Sequence, residues 1–204
     1  NGAASWEAPL VLVGFQDAFV ALAADAGLRR AFAADAARVL GSFELDARER
    51  EVLRAIPIEA LERYARSLVA KRWSELARVV PLSMRVAPSL PARYRGWALE
   101  HPARVPGEER ATVLSPGAAE GLRAEVAMRD ALAAESEAAY APDLWTFEVR
   151  RAATRGDGES RGMTSRFSIA EIAGDVHRGL LPIDPEPRPT LIRFERERVV
   201  WSHR

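Results

Sequence analysis

The segment Ile58–Val80 lies between Pro57 and Pro81 and holds a helical period throughout. Leu61, Tyr64, Leu68, Trp73, Leu76 and Val80 recur at roughly i, i+3, i+4, i+7 spacing, which puts one apolar stripe on one side of a helix. A strand would scatter the same residues over both faces. The chain is therefore committed to packing helices, and the pattern repeats on either side. Leu10–Ala26 aligns Leu10, Val13, Phe19 and Leu22, with Gly27 as the expected cap. Leu28–Leu40 aligns Leu28, Phe32, Val39 and Leu40 and meets Gly41. Asp46 and Glu49 have capping-box spacing for a short helix through Ala55. Arg85–Ala87 adds a turn. Pro91 opens Ala92–Glu100, with Tyr94, Trp97 and Ala98 on one side, and His101-Pro102 ends it. Ala103–Leu114 reads as loop. Ser115-Pro116 then supplies an N-cap and a first-turn proline for a helix from Gly117 to about Ala139, carrying Leu122, Val126, Met128 and Leu132. Pro142 starts a shorter helix with Leu144, Trp145, Phe147 and Val149.

The period changes after residue 154. Arg155–Gly162 combines three glycines with mixed charge and no apolar side chain, which reads as a linker. Met163–Ile169 alternates as a strand does, with Met163, Ser165, Phe167 and Ile169 on one face. Glu171–Leu181 fits a helix on Ile172, Val176 and Leu180. The four prolines of Pro182–Pro189 make a stiff connector. Thr190–Phe194 and Arg198–Trp201 read as strands around a turn at Glu195–Glu197. The expected fold is mainly α: a helical bundle body over 6–154, a linker at 155–162 and a small α+β unit of two or three strands over 163–204. Residues 1–5, NGAAS, read as a cloning remnant outside the fold. Two strands alone are marginal in water, so the small unit must pack on the body, dimerise or receive a strand.

The charge balance narrows function. The 29 basic residues equal the 29 acidic ones, whereas generic nucleic-acid binding usually shows a basic excess, so a nucleic-acid partner is not expected. Lys71 is the only lysine. The absence of cysteine removes disulfides, thiolate metal sites and a thiol nucleophile. His101, His177 and His203 are far apart, and none has a second ligand at helical spacing. Gly156, Gly158 and Gly162 do not form a phosphate loop. No nucleophile elbow or catalytic triad spacing is present. No catalytic residue, metal or cofactor is expected. No apolar run reaches the length of a membrane span, and Asn1–Ser5 has no basic signal region, so the cytoplasm is the expected location without a membrane partner.

Two groups of side chains remain as binding candidates. Arg63, Arg66, Lys71, Arg72 and Arg78 interleave with Glu59, Glu62 and Glu75 on the long helix. They make either a salt-bridged, solvated face or a patch for an acidic peptide, protein or phosphate. Trp73, Tyr64, Tyr94 and Trp97 fall at core spacing, but exposed tryptophans there would be interface anchors. The second group is the C-terminal hairpin. Its terminal position leaves an edge that could accept a strand, with Leu191, Arg193, Phe194, Glu195 and Arg198 as peptide contacts.

Several short runs share one order: D-A-A-R-V-L, L-R-A-I-P, L-x-x-Y-A-x-S-L-x-x-K-R, V-V-P-L, Y-R-G-W-A with H-P, and A-Y-A-P-D-L-W-T-F-E. Over about Leu28 to Arg150 this order resembles the helical partner proteins (HvfC/BufC-type) of multinuclear non-heme iron-dependent oxidases in the biosynthesis of ribosomally made peptide natural products. The positions that carry the resemblance are Tyr64, Lys71, Arg72, Pro81, His101, Pro102, Asp143, Leu144 and Glu148. It implies a non-catalytic accessory protein that binds a precursor peptide and an iron-dependent oxidase, with the iron ligands on the oxidase. Arg63, Arg66, Lys71, Arg72, Trp73, Trp97 and His101 would face that partner. The domain has also been described as DNA-binding, which keeps a DNA-binding or regulatory module as the alternative function.

Overall fold

A computed structural model describes residues 12–101, 114–135, 138–182 and 184–203. It is mainly α with a small C-terminal three-stranded antiparallel sheet. The chain divides into two compact units. The first holds residues up to 69 together with the segment from 98, and the second holds 70–97 and the chain from 109 onward. The divisions after residues 69 and 97 fall inside helices.

The first unit begins with α1 (Leu12–Ala24), α2 (Ala26–Ala34), α3 (Ala36–Leu40) and α4 (Ala47–Arg54), and continues into α5 (Ile58–Ala77). Aspartates punctuate it. Asp25 accepts from the Leu28 N–H at 2.9 Å and Asp35 from the Arg38 N–H at 3.0 Å, so each starts a helix. The single helix expected over Leu28–Leu40 is therefore two, and Gly27 lies inside α2 rather than capping α1. The capping box at α4 forms as its spacing indicates: the Glu49 N–H donates to Asp46 at 2.7 Å, and the Asp46 N–H donates to Glu49 at 2.8 Å. Leu22, Leu40, Leu53 and Leu61 meet in one core.

The second unit comprises the end of α5, α6 (Pro81–Val86), most of α7 (Leu90–Glu100), α8 (Pro116–Glu135), α9 (Ala141–Asp157), β1 (Arg161–Ser165), α10 (Ile169–His177), β2 (Thr190–Phe194) and β3 (Val199–His203). On α8 the buried side differs from the expected stripe. Val126 is 61% exposed, while Gly117, Gly121, Ala124, Met128 and Leu132 face inward. A Cβ at Gly117 would overlap the Glu75 carbonyl, and one at Gly121 would press on Val149. Close backbone approach, not side-chain bulk, fixes this helix. On α5 the buried series is Leu61, Ala65, Val69 and Leu76, and Tyr64 is 45% exposed against Phe19.

The expected linker is structured. Arg155–Asp157 complete α9, Gly158 closes it at φ +76°, and Arg161 already belongs to β1. Asp157 pairs with Arg161 at 2.6 Å across this turn. Polar side chains here satisfy a helix end, where composition alone suggested a mobile tether. β1 stops at Ser165 rather than Ile169, because Asp143 on α9 accepts from the Ser165 hydroxyl (2.6 Å) and the Arg166 N–H (3.0 Å) and turns the chain into α10. The sheet rests on α9 and α10 through Met163, Phe167, Ile172, Val176, Ile192 and Phe194. The expected boundary at 155–162 thus does not separate compact units: helices α8 and α9 and the sheet belong to one unit. Among the described residues no helix is long and apolar enough to cross a membrane.

Candidate functional site

The sheet order is β1-β2-β3, so β2 is central and β3 is an edge. Leu191, Arg193 and Phe194, expected as peptide contacts, stand on β2, whose backbone is engaged on both sides. They cannot accept a strand. Phe194 is also 1% exposed and stacks on Phe147 at 5.5 Å, which makes it a core residue. Leu191 and Arg193 are exposed on the outer face. Glu195 and Arg198 flank the two-residue turn and pair with each other at 2.5 Å.

Register determines what β3 offers. The Glu195 and Arg198 backbones exchange hydrogen bonds in both directions, at 2.9 and 3.2 Å. In an antiparallel ladder hydrogen-bonded and non-bonded pairs alternate. Val199 opposite Phe194, Trp201 opposite Ile192 and His203 opposite Thr190 are therefore non-bonded pairs. Their N–H and C=O groups point away from β2, along an edge with no neighbouring strand among the described residues. Val199, Trp201 and His203 also share the face of Ile192 and Phe194, yet Trp201 is 48% exposed. Helix α9 packs against β1 and β2, so β3 overhangs the helical layer. The opposite edge is occupied in part: Arg150 donates to the Gly162 carbonyl and pairs with Glu125 at 2.6 Å.

No family model, curated protein or solved structure matches the chain. Among the described residues no group of three or more His, Asp or Glu side chains is placed to hold a metal ion.

The expected partner-facing residues do not form one described surface. Arg63, Arg66 and His101 belong to the first unit, and Lys71, Arg72, Trp73 and Trp97 to the second. Arg63, Lys71 and His101 are exposed, and Arg66 is exposed beside Glu62 at 3.9 Å. Arg72 is internal instead. It donates to Glu120 at 2.8 Å, and the Tyr94 hydroxyl donates to the same oxygen at 2.7 Å. Burial, reinforced by Glu120, pushes the Tyr94 hydroxyl far up in pKa. Trp73 and Trp97 are half-buried on either side of Tyr94, at 5.2 and 5.9 Å, with Arg123 over Trp97 at 5.6 Å. This cluster is a buried polar network wrapped by aromatics, and its spacing as core residues is explained.

Two further residues from the short runs are structural. The Glu148 carboxylate accepts from the Leu82 N–H, the Ser83 N–H and the Ser83 hydroxyl at 2.8, 2.7 and 2.6 Å. Burial raises its pKa, and these donors oppose the rise. Pro81 opens α6, and Glu148 caps it from α9. In the first unit a groove of about 330 Å³ holds Arg29, Arg30, Glu62, Arg66 and Glu100. Arg29 donates to the Leu22 and Ala23 carbonyls at 3.2 and 2.8 Å and closes the end of α1, and Arg30 meets Glu100 at 3.6 Å. Sequence periodicity gave no sign of that buried arginine.

Proposed function

We propose that the protein is a non-catalytic accessory protein that holds an extended peptide strand along β3. The outward N–H and C=O groups of Val199, Trp201 and His203 carry this reading. A strand laid there completes the ladder, and its side chains cover the overhanging Trp201. Following the resemblance in the helical segments, the peptide is a ribosomally made precursor and the second partner is a multinuclear non-heme iron-dependent oxidase that performs the chemistry. That role implies a cytoplasmic protein. In the first unit Arg63 and Arg66 are the exposed cations on α5 for the oxidase contact.

The test is co-expression of the tagged full chain with the oxidase and the short precursor encoded beside it. Both should co-purify with the native chain. Trp201→Pro removes an N–H that points outward and leaves the β2 ladder intact, so it should lose the peptide and retain the oxidase. A chain that co-purifies with neither would overturn the proposal.

A further inference from the structure

Arg151 and Arg155 lie one turn apart on α9. Neither is held by a carboxylate among the described residues, and the buried Nε of Arg151 has no hydrogen-bond partner there. The Arg151 guanidinium sits 6.0 Å from the Phe147 ring. Burial and then Arg155 lower its pKa, with the Glu148 carboxylate opposing them. They line a cavity of about 60 Å³ against Phe194 and Val199, at the turn end of β3. Glu195 and Glu197 also line it; Glu195 is paired with Arg198, and Glu197 is exposed at the turn and forms no ion pair with either arginine among the described residues. About 10–15 Å³ of such space holds a water, so this one has room for a carboxylate group. A buried donor left without an acceptor is uncommon in folded proteins and marks a position where an acceptor belongs.

The register supplies the link to the edge strand. A residue paired with Val199 in an added strand projects onto the face that Val199 occupies, beside the mouth of this cavity. The residue two positions along pairs with Trp201 and lies on the same face. We infer that the peptide strand carries an acidic residue opposite Val199, received by Arg151 and Arg155, and an apolar residue two positions away against Trp201. The inference rests on the β3-edge reading and specifies its ligand.

The test uses fluorescein-labelled octapeptides on an alternating Thr/Val frame, with one position varied at a time, titrated against the full chain by anisotropy. Glu should be preferred at one position, with an aromatic or branched apolar residue preferred two away. Replacing that Glu by Gln should weaken binding about tenfold, the scale of one charge-assisted contact. In Arg155→Gln, an exposed substitution that leaves the core untouched, the Glu-over-Gln preference should fall to about twofold or less while the apolar preference persists; Arg151→Gln should do the same. Binding that depends on Trp201 but shows no acidic preference, or a preference unchanged in both variants, overturns this inference and leaves the edge reading standing. If no peptide binds, or if Trp201→Pro binds as the native chain does, the edge reading falls and the inference with it.

Discussion

Removing the Glu148 carboxylate should destabilise the second unit more than any loss of surface charge. Glu148 is 6% exposed and Ser83 is fully buried. In Glu148→Ala, the Ser83 N–H and hydroxyl lose their acceptor at a fully buried position. Each such loss costs about 1–3 kcal/mol. The half-buried Leu82 N–H can turn to solvent and adds little. Two effects reduce the total: the cost of burying the carboxylate disappears, and the hydroxyl can rotate to another acceptor. The expected net loss is about 2–4 kcal/mol. Glu148→Gln keeps the volume but brings an amide NH2 against a donor, so it should lose about half as much. Ser83→Ala removes one bond and should cost about 1 kcal/mol, and a double-mutant cycle should show coupling of about 1 kcal/mol with Glu148→Ala. Urea unfolding followed by tryptophan fluorescence reads this directly, because Trp73, Trp97, Trp145 and Trp201 all lie in the second unit. A Glu148→Ala chain within about 0.5 kcal/mol of the native one would refute the capping role assigned to the carboxylate.

Gly117→Ala places a methyl on the Glu75 carbonyl and should cost about 1–3 kcal/mol through overpacking between α8 and α5; the same urea titration would show it, and an unchanged midpoint would count against the close approach. Arg29→Met leaves the Leu22 and Ala23 carbonyls without their donor, so amide exchange in α1 and α2 should accelerate by about tenfold or more. Exchange at native rates would dismiss Arg29 as a cap. Asp157 is held down to about 2 by its hydrogen bonds from Arg161, below the unfolded value of roughly 3.9. Its contribution to stability is therefore complete well above pH 4 and drains away as pH falls from about 4 to 2. Asp157→Asn should flatten the acid limb of stability between those values, and parallel limbs for the two proteins would remove the pair from the account.

Periodicity located the helices well where bulk faces inward, as at Leu61 and Leu76 on α5, and where a cap is local, as with Asp46 and Glu49. It failed where backbones touch. On α8 the eye follows Leu122 and Val126, but Gly117 and Gly121 make the contact and Val126 faces out. A glycine has no hydropathy to announce such a role. Asp35 divides the helix expected over Leu28–Leu40, and Asp25 moves the preceding boundary ahead of Gly27, because their carboxylates reach three residues ahead, which an apolar stripe does not register. Arg155–Gly162 looked like a tether for the same reason: its polar atoms are used locally, in the Gly158 cap and the Asp157–Arg161 pair. Arg72 is the counterpart among charges, since a surface position on the helical wheel is internal once Glu120 and Tyr94 arrive from other helices.

Four residues of the short runs have structural duties. Asp143 turns β1 into α10, Leu144 is fully buried, Glu148 caps α6 and Pro81 starts it. Such a pattern identifies how helices and sheet are fastened and says little about what the protein touches. The proposed contact has the opposite character. It depends on which strand is central and which backbone groups point outward, and both follow from pairing between segments about thirty residues apart, β1 at 161–165 and β2 at 190–194. A hairpin of two strands would leave both β2 and β3 as edges. The third strand covers β2, and so Leu191, Arg193 and Phe194 give way to Val199, Trp201 and His203. Side-chain identity returns only at the end of β3, where Arg151 and Arg155 come from a helix some fifty residues earlier in the chain. Binding at this edge should therefore survive exchange of Leu191 or Arg193 and fail on exchange of Trp201 for proline. The reverse ranking would mean that the outer face of the sheet, rather than its edge, meets the peptide.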